Sequence, residues 1–227
     1  MTSTTPETAA PTVEATPANA PAKKPARPPV QPILEKLFEL YPHLFGAEFL
    51  PLKLGTFQEL LAAHPEHFDR AALKAALGIH TRSTRYLQSV AAGKQRHDLQ
   101  GAAVEDVSPE HIYLALLELF RRRQSRAKED LRPKFRAQLI AAFEASGLSR
   151  QDYQAKVQTH DTDATALLEE AFAELDQKQA KQEALCRAFE GSGKSVEEFA
   201  DMYGMDPRNV HAALAQQRRS PPAAITP

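Results

Sequence analysis

The C-terminal part of the chain contains an internal duplication. The segment LIAAFEASGLSRQDYQAKV from Leu139 aligns without gaps with LCRAFEGSGKSVEEFADMY from Leu185, an offset of 46 residues. Both copies read as an apolar helix that ends at a Ser-Gly pair and restarts at a serine. A repeat of this length corresponds to one helical unit, which buries its apolar face by stacking on the next copy. The sequence therefore predicts a duplicated, all-α, helix-turn-helix-like domain over residues 138–217.

The preceding part, residues 31–126, has a different pattern. Apolar residues recur at helical spacing, and a helix is predicted to start after Asp69 and to end at Gly78. The stretch RHDLQGAAVEDV from Arg96 breaks this period and reads as two short strands joined by a two-residue turn, in which Gly101 supplies a positive φ. We therefore predict a mainly α (α+β) fold, in which a compact helical domain with one short β-hairpin precedes the duplicated helices.

Three further segments are predicted to lie outside these domains. Residues 1–30, rich in Thr, Pro and Ala, are predicted to be a disordered arm, and residues 218–227 a disordered tail. Residues 127–137 are predicted to be a basic linker or helix extension. The surrounding sequence RRRQSRAKEDLRPKFR holds eight basic residues between Arg121 and Arg136 and only two acidic ones. Such a cluster either forms a solvated helix face or neutralises the phosphates of a nucleic acid.

Composition restricts the cellular setting. The formal net charge is −1, so a basic character exists only in local clusters. The single cysteine, Cys186, excludes an intrachain disulfide and a cysteine-based zinc site. No apolar run approaches the ~20 residues that span a bilayer, and the N-terminus lacks the pattern of a signal peptide. We expect a soluble, cytoplasmic protein without membrane association.

No motif predicts an enzyme, a metal or a cofactor. AFEGSGKS from Ala188 matches a relaxed phosphate-binding loop, but it follows a helix instead of a strand, and a helix C-cap explains it as well. In HPEH, His64 and His67 flank a proline that breaks helical register, and no further ligand pattern accompanies them. No nucleophile elbow of the form G-x-S-x-G occurs. The prediction is a non-enzymatic protein with no catalytic residue, no cofactor and no metal site.

The segment FADMYGMDPRNVHAAL follows the spacing of a helix-turn-helix motif. Ala200 lets two helices cross, Gly204 makes the turn, and Val210 anchors the second helix. In one interpretation residues 196–217 read duplex DNA, and the protein is a DNA-binding transcriptional regulator. In the other the segment is a structural helical pair, which the glutamine at the glycine position of the first copy favours.

The most informative segment is GIHTRSTRYLQSVAAGKQRHDLQG, from Gly78 to Gly101. It combines a helix N-terminus, whose free amides favour phosphate, with hydroxyls, arginines and an aromatic ring suited to stacking. These features suit RNA better than duplex DNA, whose major groove requires a protruding helix. A capped helix with exposed charges is the alternative. The candidate contacts in this segment are His80, Thr81, Arg82, Ser83, Arg85, Tyr86, Leu87 and Arg96.

Four ordered sequence blocks resemble the ProQ/FinO family of bacterial RNA chaperones. The blocks are LFELYPHLF, PLKLGTFQELL, LKAALGIHTRSTRYL and GKQRHDLQG, within residues 32–112. The resemblance implies a helical domain with a hairpin and a concave basic face that binds structured RNA. The RNA element implied is the base of a 3′ terminator hairpin with its U-rich 3′ tail, in small RNAs and at mRNA 3′ ends. Such a protein stabilises small RNAs and promotes RNA–RNA pairing in post-transcriptional regulation. The C-terminal repeats, which the resemblance does not cover, would bind a protein partner or add an RNA contact.

Matching positions carry roles over from the family. The concave face would comprise Lys53, Arg70, Lys74, Arg85, Tyr86, Leu87 and Arg96, with Arg96 expected to contribute most. Thr81 and Ser83 would contact the RNA 3′ end, and Arg121 and Arg122 would extend the basic surface. Asp98 and Gly101 would shape the hairpin, with Phe57 packed under it.

Three positions depart from the family pattern. His80 stands where a tyrosine is usual, Gly78 where a basic residue is frequent, and Gln100 where the hairpin motif has an aspartate. If His80 faces phosphates, its protonation is expected to strengthen RNA binding at mildly acidic pH.

Overall fold

The structure, a computed structural model, describes Met1 and residues 30–219. The predicted arm and tail therefore lie almost entirely outside the described residues. Helices dominate this part of the chain, together with one two-stranded antiparallel sheet, as the sequence predicted. The elements are α1 (Gln31–Leu40), α2 (Pro42–Phe45), α3 (Thr56–Ala63), α4 (Arg70–Thr81), α5 (Thr84–Ala91), β1 (Arg96–His97), β2 (Ala103–Glu105), α6 (Pro109–Gln124), α7 (Arg132–Ser146), α8 (Arg150–Lys156), α9 (Thr162–Ser192), α10 (Val196–Tyr203) and α11 (Pro207–Arg219).

The first core lies between α1, α3, α4, α5 and the hairpin. Leu37, Leu60 and Leu73 are fully buried in it, one from each of the first three of these helices. Asp69 caps α4 by accepting hydrogen bonds from the amides of Ala71 and Ala72, as its position before the apolar run predicted. Burial of a leucine side chain contributes about 1.5–3 kcal/mol, so these contacts fix how α1 and α3 pack on α4.

Helix α4 continues three residues beyond its predicted end at Gly78. The glycine lies inside the helix, and the last turn is anchored by Leu77 and His80, whose side chains are buried in the core. The prediction of a stop at Gly78 was wrong because tertiary burial outweighs the ~1 kcal/mol helix penalty of one glycine. Helix α5 then starts after Ser83, whose hydroxyl accepts a hydrogen bond from the Tyr86 amide.

The hairpin is shorter than predicted, with a wider turn. Its paired residues are Arg96 with Glu105 and His97 with Ala103, and residues 98–102 form the loop. The Asp98 carboxylate accepts hydrogen bonds from the amides at positions 100 and 102, and Gly101 has a φ of 83°. A side chain at Gly101 would also come within 2.7 Å of the His43 ring. Asp98 and Gly101 therefore shape the turn, as expected, although the turn has more than two residues.

Helix α6 belongs to both halves of the molecule. Ala115 faces the first core, whereas Tyr113, Leu116 and Leu117 face a second core formed with α7, α8 and the N-terminal half of α9. The Tyr113 hydroxyl donates a hydrogen bond to the Ala164 carbonyl across this second core. The two predicted domains thus share a helix and a continuous interior.

The predicted basic linker at 127–137 is mostly helix. Residues 125–131 connect α6 to α7, and α7 begins at Arg132. Phe135 is buried and stacks on Phe120 of α6, with ring centroids 4.4 Å apart. This aromatic contact packs the start of α7 against the end of α6.

The duplicated helices repeat in structure as well as in sequence. Gly147 and Gly193 each end a helix with a φ of 63°, and each is followed two residues later by a capping serine. Helix α9 is shared: its N-terminal half packs on the first copy, and its C-terminal half is the first helix of the second copy. None of the helices in residues 30–219 is long and apolar enough to cross a membrane.

Candidate nucleic-acid interface

Exposed cations lie along α4 and at its C-cap. Arg70 and Lys74 are exposed, and because they are four residues apart in the helix they lie on one face. Arg82, which is also exposed, is the C-cap residue that follows Thr81. We call Arg70, Lys74 and Arg82 the α4 stripe.

Gly78 allows the Arg82 side chain to lie against the helix. A Cβ atom at position 78 would be 3.2 Å from Nη2 of Arg82, closer than ordinary contact. The guanidinium therefore occupies the surface that a larger residue would cover. The family resemblance implies a basic residue at position 78, where this chain has glycine. The Arg82 side chain supplies positive charge at that position.

Two aromatic rings orient the arginines at the edges of this surface. The Arg70 guanidinium lies 5.6 Å from the centre of the Phe57 ring, and the Arg85 guanidinium lies 5.7 Å from that of Phe49. A cation held over a ring loses side-chain freedom while its edge stays free to donate hydrogen bonds. Phe57 thus packs against the first core and supports Arg70 of the α4 stripe.

The hairpin side of the surface is held by Arg96. Its Nη1 donates to the Leu52 carbonyl at 2.9 Å, its Nη2 contacts Nδ1 of His111 at 3.1 Å, and its Nε lies 3.6 Å from the Glu105 carboxylate. Only 11% of its side chain is exposed. Arg96 ties the extended segment around Leu52 to the hairpin and to the start of α6.

Lys53 lies beside this junction. Its amide donates to the His97 carbonyl at 2.8 Å, and its ammonium group donates to the Glu59 carboxylate at 2.6 Å. The hydrogen bond to Glu59 raises the pKa of Lys53, so the lysine stays charged. Because α3 supplies both Glu59 and Phe57, it lies between Lys53 and the α4 stripe.

His80 is not an exposed RNA contact. Its side chain is 4% exposed, and its ring lies 4.4 Å from Phe49, 4.6 Å from Phe45 and 5.3 Å from Tyr86, centre to centre. Burial lowers the pKa of His80 from its ordinary 6.5 to about 4. The condition for stronger RNA binding at mildly acidic pH, that His80 faces phosphates, is not met, because the ring is enclosed in the core.

The other polar groups of the predicted segment build the corner between α4 and α5. Tyr86 is 7% exposed, and its hydroxyl accepts a hydrogen bond from the Leu52 amide, so the predicted stacking surface is inside the core. Burial raises the pKa of Tyr86. The Thr81 hydroxyl donates to the Leu77 carbonyl, and Leu87 packs against the first core. At this corner Arg82 and Arg85 are exposed, whereas the Tyr86 ring is enclosed.

The basic residues at the end of α6 and in α7 contact two different parts of the molecule. Nη1 of Arg122 donates to the Arg82 carbonyl at 2.8 Å, which joins α6 to the end of the α4 stripe. Arg121 instead pairs with Asp161, the cap of α9, and Arg136 pairs with Glu170 and Glu174. The structure therefore brings Arg122, and not Arg121, to the candidate interface.

Sequence reasoning missed His111. It lies in the first turn of α6, and its Nδ1 accepts a hydrogen bond from either Ser108 or Arg96. No local signal joins His111 to Arg96, because their proximity arises only when α6 packs beside the hairpin.

The helix-turn-helix geometry of residues 196–217 is present. Ala200 and Val210 are fully buried, and Gly204 makes the turn with a φ of 63°. This segment is less suited to DNA, since it contains one arginine, Arg208, against four carboxylates, which are Glu197, Glu198, Asp201 and Asp206. Carboxylates on the first helix would face the phosphates that this helix crosses in DNA complexes.

Comparison with known proteins places these elements in context. A model of the ProQ/FINO family matches residues 27–132. The RNA chaperone ProQ of Shewanella frigidimarina is 36% identical over 122 residues, which cover 51% of this chain and 60% of that protein. The RNA chaperone ProQ of Shewanella oneidensis is 42% identical over 80 residues, covering 34% of this chain and 38% of that protein. The chain thus spans 60% or less of these two relatives.

One solved structure is also similar. It is the crystal structure of a FinO-like RNA chaperone from Neisseria meningitidis, with 34% sequence identity and a TM-score of 0.35. The match covers 38% of this chain and 88% of that one. The duplicated helices α7–α11 lie almost wholly beyond the residues that the family model matches.

Proposed function

We propose that the protein is a non-enzymatic RNA chaperone that binds structured RNA, a proposal supported by the match of residues 27–132 to a model of the ProQ/FINO family. The observation that supports this most directly is the α4 stripe: two exposed cations on one face of α4 and a third at its C-cap, with Arg85 at the first turn of the next helix. Cations held on a rigid helix suit a phosphate backbone.

In the proposed complex the α4 stripe grips the duplex at the base of an RNA hairpin. Residues four apart on a helix are about 6 Å apart along its axis, so the stripe can follow successive phosphates of one strand. Phosphate contacts of this kind supply affinity without reading sequence. Proteins recognise A-form duplexes mainly by shape and backbone, which matches a stripe without aromatic or amide groups.

The trailing 3′ strand is proposed to run toward the hairpin side, along Lys53 and Arg96. The Lys53 ammonium group pairs with the Glu59 carboxylate at 2.6 Å, and the Glu105 carboxylate lies 3.6 Å from Nε of Arg96. An RNA phosphate would compete with these carboxylates for the same cations. The family's preference for a 3′ terminator hairpin with a U-rich tail supports this placement, as does the position of α3 between the two surfaces.

The cellular role follows from this binding mode. We propose that the protein acts in the cytoplasm, stabilises small RNAs and promotes their pairing with messenger RNAs. The exposed cations Arg123, Arg126, Lys128 and Lys134 would add non-specific affinity. The duplicated helices α7–α11 would provide a surface for a protein partner or a further RNA contact.

Replacing Arg96 with alanine is expected to weaken binding of a tailed hairpin RNA by about 1–3 kcal/mol, the range for a charge-assisted contact. Arg96→Lys keeps the charge but loses the planar guanidinium that reaches both Leu52 and His111. We expect Arg96→Lys to recover part of the affinity and to unfold in less urea than the wild type. Gel-shift titration and urea unfolding of both variants measure these effects. Unchanged affinity in a folded Arg96→Ala protein would remove Arg96 from the proposed site.

The DNA-binding alternative makes a different prediction. Arg208 and His211 are the exposed basic groups on the described part of α11. Changing both to glutamate in the full-length protein is expected to alter hairpin RNA affinity less than twofold, because α11 packs on α9, remote in the fold from α4. The wild type is also expected to bind the RNA hairpin at least about tenfold more tightly than duplex DNA of the same sequence, at one salt concentration. A preference for duplex DNA that the double variant abolishes would support a DNA-binding regulator instead.

A further inference from the structure

The connection between α3 and α4 folds two histidines toward each other. Helix α3 ends at Ala63, and the amides of His67 and Phe68 both donate to the His64 carbonyl at 3.1 Å. This turn places the His64 and His67 rings nearly parallel, with centroids 6.0 Å apart. Pro65, which argues against a helical histidine pair in the sequence, is part of the turn that brings the two rings together.

Glu66 places a carboxylate between the two rings. Its Oε1 lies 3.4 Å from Nε2 of His67 and 3.8 Å from Nδ1 of His64. One ligand atom from each of the three residues lies within 4.8 Å of the others. In a tetrahedral zinc site with bonds of about 2.0–2.1 Å, neighbouring ligand atoms are roughly 3.4 Å apart. One pair already has this separation, and the others reach it by a small closing movement.

The exposed side chains of Glu66 and His67 are free to make that movement. Both nitrogen–oxygen separations exceed the usual 2.7–3.2 Å of a hydrogen bond, so the three groups are not committed to one another. The Glu66 side chain is 59% exposed and that of His67 is 41% exposed. Glu66, His67 and Arg70 line one surface hollow. The Arg70 guanidinium lies over the Phe57 ring.

His64 has the arrangement of a metal-ligating histidine. Its Nε2 lies 2.9 Å from the Tyr41 hydroxyl, and its Nδ1 is the atom nearest Glu66. When Nε2 donates its proton to Tyr41, Nδ1 presents a lone pair toward the carboxylate. Ligating histidines usually donate their other N–H to a partner that fixes the ring and its tautomer. Tyr41 is such a partner, and it belongs to the start of α2, outside the turn.

We propose that His64, Glu66 and His67 form a binding site for a divalent transition-metal ion, with zinc as the ion that fits best. Two imidazoles and one carboxylate suit zinc, and water would complete the coordination because the site is open to solvent. The bound ion would join the end of α3 to the start of α4 through the turn. The site does not depend on the proposed RNA function, since none of its three ligands belongs to the α4 stripe.

Calorimetric titration of zinc chloride into the metal-free, untagged, full-length protein tests the site. We expect one ion per chain, an affinity at least about tenfold weaker in His67→Ala and in Glu66→Gln, and wild-type affinity in His211→Ala. His211 is an exposed histidine on α11 and serves as the matched control. Circular dichroism checks folding, and both variants are expected to keep the fold because the Glu66 and His67 side chains are exposed. Binding that is absent, or that persists unchanged in His67→Ala, would overturn the proposal.

A spectroscopic measurement separates ligation from general surface binding. Imidazole nitrogen resonances of His64 and His67 are expected to shift on addition of one equivalent of zinc, with the His64 shift at Nδ1 and not at Nε2. His43, whose Nε2 hydrogen-bonds the Leu99 carbonyl, is expected to stay unchanged. Zinc-induced shifts that spread equally over the exposed histidines would contradict a defined site.

Discussion

Changing both Arg70 and Lys74 to glutamate is expected to weaken binding of a hairpin RNA with a 3′ tail by about 100-fold. The double variant removes two phosphate contacts and places two negative charges in the same positions. Loss of two charge-assisted contacts of about 1.5 kcal/mol each gives this magnitude before repulsion is added. Because both side chains are exposed, and because a carboxylate at the first turn of α4 favours the helix, the fold should be retained.

The salt dependence provides a second measurement on the same proteins. Each lost phosphate contact reduces the slope of log K against log salt by about 0.9 for a duplex, so the double variant should lose nearly two units of slope. Lys178→Glu with Lys181→Glu on α9 changes the net charge equally and is the matched control. The control is expected to bind within about twofold of the wild type in moderate salt. Equal losses in the two double variants would mean that net charge, and not the α4 stripe, governs binding.

Helix boundaries in this protein follow local sequence only where no tertiary contact intervenes. The caps at Asp69, Ser83 and Ser108 are read directly from short polar side chains before apolar runs, and all three are present. The end of α4 cannot be read from the local sequence, since it depends on the burial of His80 among aromatic side chains. The same applies to the hairpin, whose turn is widened by hydrogen bonds to the Asp98 carboxylate.

The burial of His80 and Tyr86 was visible in the periodicity of the sequence. Leu73, Ala76 and His80 share one helical face, and Tyr86 and Val90 share another. The family pattern and the chemistry of the segment suggested exposed contacts, and that interpretation took precedence over the helical spacing. The helical spacing of these residues is the better guide to their burial.

The contacts of Arg96 could not be read from the sequence. Its main acceptor, the Leu52 carbonyl, is 44 residues away, and His111 comes from a separate helix. Any residue can supply a backbone carbonyl, so the sequence does not show which one an arginine will bind. Only the fold shows that Arg96 joins these segments. The proposed zinc ligands, in contrast, are close together in the sequence. Even so, only the structure of the turn shows that the carboxylate lies near both rings.

Acid is expected to destabilise the protein through His80. The folded-state pKa of about 4 lies below the ordinary 6.5, so the unfolded chain binds the proton more tightly. The free energy of unfolding is therefore highest above pH 6.5 and falls as the pH drops toward 4. Between pH 7.5 and pH 5, this one group is expected to remove about 2 kcal/mol of stability.

His80→Leu tests this directly, because leucine has a similar volume and does not titrate. Urea unfolding at pH 7.5 and pH 5 should show a loss of stability about 2 kcal/mol smaller in His80→Leu than in the wild type. At pH 7.5 the two proteins should differ by about 1 kcal/mol or less, since the swap also removes a buried ring nitrogen without a partner among the described residues. His160→Leu, which changes an exposed histidine, should keep the wild-type pH dependence. His80→Leu could instead lose as much stability in acid as the wild type. The His80 ring would then be accessible to protons in the folded state, and its exclusion from the RNA surface would have to be abandoned.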